Sequence, residues 1–157
     1  MPSEGVRIGV LSDTHGLLRP EAIAELGGAE LIVHAGDVGD PSILERLGDI
    51  APVRAVRGNV DTAPWARALP EAEVVEVPGA LVYVLHDLSA LDLDPRAAGF
   101  AAVVYGHSHR PSIESRGGVL YLNPGSAGPR RFRLPVSLAW LVVEPRDVRA
   151  RLVELVG

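Results

Sequence analysis

At 157 residues, 47% of them hydrophobic and 22% charged, the chain has the length and composition of one folded domain with a sizeable core, not of a disordered protein. The net charge of −5 argues against a broad nucleic-acid-binding face, because phosphate backbones need clustered basic residues. Cysteine is absent, which excludes disulfides, thiolate zinc sites and cysteine nucleophiles. Any metal ligands must therefore be His, Asp, Glu or Asn.

Targeting signals are not evident in the sequence. No apolar run approaches the roughly 20 residues that a membrane helix needs. Residues 1–4 lead directly into a predicted strand, without the basic segment and apolar stretch of a signal peptide. We therefore expect a cytoplasmic protein with no membrane association. Because no linker, repeat or low-complexity segment is evident, we expect a single domain over residues 1–157.

The first half of the chain predicts alternating strands and helices. Buried strands are indicated at 6–11, 31–34 and 53–57. Helices are indicated from Arg19-Pro20 to Leu26 and from Asp40-Pro41 to Leu47, since proline is typical of a first helical turn. This β-α-β-α-β order implies parallel strands joined by right-handed crossovers.

The second half predicts hairpins instead. Turn dipeptides at Pro78-Gly79 and Gly117-Gly118 join the apolar pairs 74–77 with 80–85 and 112–115 with 119–122. Between the hairpins, Asp94-Pro95 predicts a short helix to Ala98, and residues 101–105 predict a strand. Two long apolar segments, 136–143 and 148–156, close the chain, and the second could also be taken for a helix. These hairpins indicate an α/β fold whose sheets are not purely parallel.

Side chains that suit metal binding directly follow five of the predicted strands. They are Asp13 with His15, Asp37, Asn59, His86, and His107 with His109. In open α/β folds, the loops at the carboxyl ends of the strands gather in one crevice, and ligands bind there. The chain has five histidines, and four of them occupy such positions. We therefore predict that these seven side chains form one site.

The residue types in this predicted site suit two divalent metal ions. Imidazoles bind borderline metals, carboxylates cancel charge and can bridge two ions, and an Asn carbonyl adds a neutral oxygen ligand. Asp13 and Asp37 cancel only part of the charge of two ions, and the remainder attracts an anionic phosphate. Such ions also lower the pKa of bound water from about 15.7 toward 7, which supplies a hydroxide nucleophile. We interpret the site as a two-metal phosphoesterase centre.

The motifs also resemble those of a known family. Asp-x-His, Gly-Asp, Gly-Asn-x-Asp, a lone His and Gly-His-x-His, in this order, are similar to the motifs of the calcineurin-like metallophosphoesterases. The size of the chain and its Asn123–Ser126 loop are most similar to the small single-domain prokaryotic phosphodiesterases, the branch that includes YfcE and is related to the retromer subunit Vps29. The resemblance covers Val6 to Leu141. Each motif alone is weak, but five in order are specific.

This resemblance implies a fold and a set of metal ligands. The implied fold is an α/β sandwich of two mixed β-sheets flanked by helices. One metal is assigned to Asp13, His15 and His109, and the other to Asn59, His86 and His107, with Asp37 bridging both. Asn59, His107 and Arg130 are candidate substrate-binding residues.

The resemblance also implies an activity. The expected reaction is hydrolysis of a small-molecule phosphodiester, by in-line attack of a metal-bridging hydroxide on phosphorus. The expected cofactor is two divalent ions, manganese first, with Ni, Fe, Zn, Co or Mg as alternatives. Relatives in this family often form oligomers, so a homo-oligomer is left open. The alternatives are a phosphomonoesterase or nucleotidase with the same metals, and a weakly active scaffold of Vps29 type.

Two positions depart from the family pattern. Val60 stands where many members have a His that assists the leaving group, so a general-acid contribution of about 10²–10⁴-fold is missing. This favours diesters, or esters with good leaving groups, over demanding monoesters. Asp87 follows His86 where Gly is usual, which weakens the local match.

Several of these residues also have a purely structural interpretation. Asp13 could cap a helix, and Asp37 and Asn59 could be turn residues. His34 lies inside a strand, where we expect a hydrogen-bonded core residue and not a ligand. Asp61 is expected to cap the helix toward Arg67 or to contact a histidine. The Arg130-Arg131 pair could bind substrate phosphate, or it could belong to a solvated loop.

Overall fold

The computed structural model describes residues 5–131 and 133–156, so the expectation for residues 1–4 lies outside the described part. Two five-stranded sheets dominate that part. The strands are β1 (Val6–Leu11), β2 (Leu31–His34), β3 (Val53–Ala55), β4 (Ala72–Val77), β5 (Ala80–Leu85), β6 (Ala102–Val104), β7 (Ser112–Arg116), β8 (Val119–Asn123), β9 (Val136–Glu144) and β10 (Asp147–Val156). The helices are α1 (Pro20–Glu25) and α2 (Pro41–Gly48), with 3₁₀ helices at Pro64–Ala68 and Leu88–Ala90.

The first sheet has the strand order β10-β9-β1-β2-β3. Its strands β1, β2 and β3 are parallel, which confirms the prediction for the first half of the chain. The two C-terminal strands extend it antiparallel, with β9 beside β1 and β10 at the edge. The last apolar segment is therefore a strand and not a helix.

The second sheet has the strand order β4-β5-β6-β8-β7. Both predicted hairpins are confirmed as antiparallel pairs, β4 with β5 and β7 with β8. In the centre, β5, β6 and β8 run parallel. The carboxyl ends of β5 and β6 therefore meet at one edge of this sheet.

The two sheets pack face to face through aliphatic side chains. Val10 and Val33 of the first sheet and Val84 and Val104 of the second belong to one buried cluster. On the other face of the first sheet, α1 and α2 bury residues such as Ala22 and Leu47. Alternation along each strand produces these two faces, since neighbouring side chains point in opposite directions. The predicted α/β sandwich of two mixed sheets is confirmed.

The predicted helix from Asp94 to Ala98 is wrong. The segment forms a turn, in which Ala98 N–H donates to Asp94 O at 3.0 Å and Phe100 N–H donates to Pro95 O at 2.9 Å. Helical spacing is lost at Gly99, whose φ of 84° is left-handed.

None of the helices in the described part is long and apolar enough to cross a bilayer.

Candidate metal centre

The candidate centre lies where the loops that follow strands of both sheets meet. Asp13 N–H, after β1, donates to Gly36 O, after β2, at 2.9 Å. Gly106 N–H, after β6, donates to His86 O, after β5, at 2.9 Å. His107 N–H then donates to the Asp13 carboxylate at 3.1 Å, which joins the second sheet to the first. The loops that carry the predicted ligands therefore converge at one place.

Asp13 lies at the centre of this arrangement and is fully buried. Its Oδ2 accepts two hydrogen bonds, from Ser12 Oγ at 2.7 Å and from His107 N–H. Its Oδ1 is also buried, yet it accepts no hydrogen bond from the described residues. That oxygen faces the Nε2 atoms of His109 at 3.4 Å, His15 at 3.5 Å and His86 at 3.8 Å.

Two groups of three side chains bring their ligand atoms within 4.8 Å of one another. The first consists of Asp13, His15 and His109, the set that the family resemblance assigns to one metal. Within it, the two imidazole Nε2 atoms are 3.3 Å apart. The second consists of Asp13, Asp37 and His86.

Asp13 belongs to both groups, whereas Asp37 belongs to the second and also approaches His15 of the first. The Oδ2 of Asp37 is 3.1 Å from His86 Nε2 and 3.6 Å from His15 Nε2, while its Oδ1 accepts a hydrogen bond from Val60 N–H at 3.0 Å. Burial raises the pKa of this carboxyl, but the contacts with His86 and Val60 and the neighbouring imidazole charges lower it to about 2. Asp37 is therefore an anion at neutral pH and can contact two cations at once.

His86 is oriented by the backbone. Its Nδ1 is 2.7 Å from Ala35 O, so this nitrogen donates its proton and leaves Nε2 as the coordinating atom. Burial lowers the pKa of His86, but the contact with Asp37 and the charges of Asp13 and Asp37 outweigh it, and the pKa is raised. The proton favoured on Nε2 occupies the position that a metal ion would take.

Asn59 and His107 lie at the exposed side of the centre. His107 Nδ1 is 3.3 Å from Asn59 Oδ1, and the His107 and His86 rings are 5.2 Å apart. The His107 side chain is 47% exposed. These residues are therefore close to the second group but open to solvent, as a position that meets a substrate must be.

Asp61 is a buried acceptor for backbone N–H groups of two loops. Its carboxylate, 3% exposed, accepts from the backbone N–H groups of Val38, Gly39 and Gly58 at 2.9–3.1 Å. The N-cap of the 3₁₀ helix is Ala63 and has no side-chain cap, so the capping prediction is wrong. Asp61 instead joins the loop after β2 to the loop after β3.

His34 is a buried, hydrogen-bonded residue, as the sequence predicted. Its Nδ1 accepts from Gly36 N–H at 3.1 Å, so Nε2 carries the proton and donates to Thr14 Oγ1 at 3.0 Å. Thr14 in turn donates to Val38 O at 2.8 Å. Burial lowers the pKa of His34 to about 4, so the ring is neutral at neutral pH.

The loop Asn123–Ser126 also supports the centre. Asn123 Nδ2 donates to Gly106 O and to Ser108 Oγ, and Ser126 Oγ donates to Asp13 O at 2.9 Å. Little in the sequence distinguishes these two residues from ordinary turn residues, because their partners lie more than ten positions away.

Arg130 and Arg131 lie beside this region, and both are exposed. Arg130 Nη2 donates to Val156 O at 3.2 Å. The positive charge of Arg131 lowers the pKa of His109, after the larger effects of burial, Asp13 and His15. The charge of Arg131 therefore acts on the centre, and the substrate role of Arg130 stays a prediction.

The donor set fits divalent ions. Metal–nitrogen and metal–oxygen bonds of about 2.0–2.2 Å place ligand atoms up to about 4.2 Å apart, and the distances here are 3.1–3.8 Å. Besides Asp13 Oδ1, the buried His86 Nε2 makes no well-aligned hydrogen bond with the described residues. Two buried carboxylates would be costly without nearby cations. Imidazole and carboxylate together suit Mn, Fe, Co, Ni or Zn.

Comparisons with known proteins identify the family and the fold. Residues 6–146 match the calcineurin-like phosphoesterase superfamily domain. A probable metallophosphoesterase of Methanocaldococcus jannaschii is 36% identical over 94% of this chain and 81% of its own length. Phosphodiesterase YfcE of Escherichia coli is 31% identical over 83% and 84%, respectively. The structure of vacuolar protein sorting 29 from Cryptosporidium parvum shares the fold, with a TM-score of 0.83 and 21% identity over 98% of this chain and 93% of that one. The chain belongs to the calcineurin-like phosphoesterase superfamily.

Proposed function

We propose that this phosphoesterase is a metal-dependent phosphodiesterase, built as a single domain over residues 1–157, with two metal ions at its centre. The observation that carries the proposal is the buried Asp13 Oδ1, which accepts no hydrogen bond within the described part of the chain and faces three imidazole nitrogens. One ion is assigned to Asp13, His15 and His109. The other is assigned to Asn59, His86 and His107, with Asp37 between the two.

Divalent ions held by these residues would supply an activated water for attack on phosphorus and positive charge for the phosphate oxygens. Other groups of the chain orient the side chains that would bind the ions. Ala35 O fixes the tautomer of His86, and Ser12 with His107 N–H fixes the Asp13 carboxylate. Asn59 and His107 lie on the exposed side, where an ester can approach.

The preference for diesters is supported by what surrounds Asn59. Val60, 46% exposed, offers an aliphatic side chain where many relatives offer an imidazole. No proton can come from that side chain to a departing alkoxide, so a leaving group of low pKa is favoured.

We propose manganese as the first metal to test, and we keep the prediction of a cytoplasmic location.

The test is hydrolysis of bis-p-nitrophenyl phosphate by the purified protein. After treatment with a chelator, Mn, Ni, Co, Zn or Mg is added back, and the monoester p-nitrophenyl phosphate is measured in parallel. We expect activity to disappear with the chelator and to return with a metal, with the diester hydrolysed faster. Faster monoester hydrolysis would favour the nucleotidase alternative.

Variants of the centre test the assignment of its residues. Asp37→Ala and His109→Ala should each lower metal-restored kcat by at least about 10²-fold while the protein stays folded. Asp49→Ala removes an exposed carboxylate outside the centre and serves as the matched control. Full activity in Asp37→Ala would contradict the proposal. Two metals bound per wild-type chain without turnover would favour the Vps29-type scaffold.

A further inference from the structure

A cavity of about 400 Å³ opens directly beside the candidate centre. Asn59 and His86, both assigned to one metal, form part of its wall, and Asp87 lies next to them. A phosphodiester bound at the centre carries two ester groups, and a group that extends past Asn59 enters this cavity. The cavity therefore has the position of a subsite for one of the two ester groups.

Part of the wall is apolar and aromatic. It includes Ala72, Leu85 and the half-buried Tyr83, whose ring is held edge-on by Phe100 at a centroid distance of 5.2 Å. Such a wall favours contact with methyl and methylene groups. An aromatic ring also attracts a cation placed over its face.

The charged groups of the cavity are mostly carboxylates. Among the described residues that line it, Arg57 is the one guanidinium, and its Nη2 is paired with Glu71 Oε1 at 3.0 Å. Asp87 accepts from Ser89 and lies 3.9 Å from His107 Nε2, so the exposed Asp92 is the carboxylate of the described wall that has no ion-pair partner there. An ester group with its own negative charge is repelled here, and a neutral group gains nothing from the charge.

We propose that this cavity binds the second ester group of the substrate and selects a small cationic alcohol of the amino-alcohol or quaternary-ammonium class. The inference depends on the proposed diesterase function, since it names the class of diester that the same centre hydrolyses. The volume accommodates a choline-sized group, with its phosphate at the metals and its ammonium between Tyr83 and Asp92.

A pair of matched substrates tests the charge requirement. p-Nitrophenyl phosphocholine and p-nitrophenyl 3,3-dimethylbutyl phosphate have ester groups of nearly the same shape, and only the first is cationic. Both release p-nitrophenol, so kcat/KM can be compared directly. We expect the choline ester to be preferred by about tenfold at low salt. A ratio at or below one would overturn the proposal.

Variants assign the preference to the cavity. Asp92→Asn should reduce the ratio of the two kcat/KM values several-fold, because it removes a carboxylate of the wall. Asp49→Asn makes the same chemical change at an exposed position outside the cavity and should leave the ratio as in the wild type. An unchanged ratio in Asp92→Asn would contradict the assignment.

Bis-p-nitrophenyl phosphate separates failure of the subsite from failure of the enzyme. If this diester is hydrolysed but the matched pair shows no preference, the subsite is wrong and the phosphodiesterase stands. If no diester is hydrolysed with any metal, the proposed function fails, and choline chloride then tests the cavity by saturation-transfer NMR. Choline binding that is weakened in Asp92→Asn would support the proposed subsite. If the wild type bound no choline, the subsite would be overturned.

Discussion

At the scale of single residues, backbone conformation marks the candidate centre. The described part of the chain has five non-glycine residues with positive φ, and all five are predicted metal ligands. They are Asp13 (56°), His15 (46°), Asp37 (57°), His107 (73°) and His109 (64°). Each such residue costs about 1–2 kcal/mol relative to an ordinary conformation. Hydrogen bonds between the loops, such as His15 N–H to Asp37 O at 2.9 Å, hold the strained backbone in place.

This strain predicts an unusual order of stability at His15. In the presence of a chelator, His15→Gly should be more stable than His15→Ala by about 1 kcal/mol, because glycine adopts positive φ without steric cost. Urea unfolding of the two variants measures the difference. At Val60, where φ is not positive, the order should reverse, with Ala more stable than Gly. If the Ala variant were more stable than the Gly variant at both positions, the left-handed backbone of His15 would carry no steric cost.

A second residue-scale prediction concerns His34 and pH. Its folded pKa of about 4 lies below the unfolded value of 6.5, so the unfolded chain takes up the proton first as the pH falls. The stability associated with the neutral ring is therefore present above pH 6.5 and is lost as the pH falls through 4. The full loss is about 3 kcal/mol.

The variant His34→Gln isolates this effect, since Gln does not titrate. We expect wild type to be more stable than His34→Gln at pH 7, because the variant disturbs the buried hydrogen bonds to Thr14 and Gly36. At pH 4.5 the advantage of the wild type should shrink or vanish. Urea unfolding with a chelator at both values measures it. An advantage that stays constant with pH would contradict the burial of a neutral ring.

At the scale of elements, the loops after β2 and β3 are in direct contact. A Cβ atom on Gly58 would lie 2.1 Å from Asp37 Oδ1 and 2.2 Å from its backbone nitrogen. Gly58→Ala should therefore displace Asp37, weaken metal binding by at least about tenfold and destabilise the fold by about 1–3 kcal/mol. Calorimetric metal titration and urea unfolding measure the two effects.

A control glycine exists in α2. A Cβ atom added at Gly48 would meet nothing within 4 Å among the described residues, and its φ is ordinary. Gly48→Ala should therefore leave metal binding intact and change stability by less than about 1 kcal/mol. Equal metal affinity in Gly58→Ala and Gly48→Ala would mean that the loop after β3 yields freely and does not position Asp37.

Elements were predictable from the sequence where local patterns determine them. Alternating apolar residues and the turn dipeptide Pro78-Gly79 indicate the hairpin β4–β5, and Asp40-Pro41 indicates the start of α2. The role of Asp61 was not predictable, because two of its three N–H partners lie more than twenty positions away, in the loop after β2. The positive φ values of the predicted ligands could not be predicted from the sequence either. Asp and His do not require a left-handed conformation, and contacts between the loops impose it.

At the scale of the whole molecule, the candidate ligands are shared between the two sheets. Four of them follow strands of the first sheet, namely Asp13, His15, Asp37 and Asn59. The other three follow strands of the second sheet, namely His86, His107 and His109. The motif order alone could predict this set, but not that the two sheets meet at it. Metal ions bound there would join the edges of both sheets, so binding should stabilise the fold as a unit.

Metal should therefore raise the unfolding temperature in a single transition. At a free concentration 100 times its Kd, one ion adds about 2.7 kcal/mol, which corresponds to about 5–10 °C for a chain of this size. Differential scanning calorimetry with a chelator and with Mn measures the shift. His109→Ala should lose most of it, because it removes a ligand contributed by the second sheet, whereas Asp49→Ala should keep it. A full shift in His109→Ala, or a metal effect on only one of two separate transitions, would show that the ions do not couple the sheets.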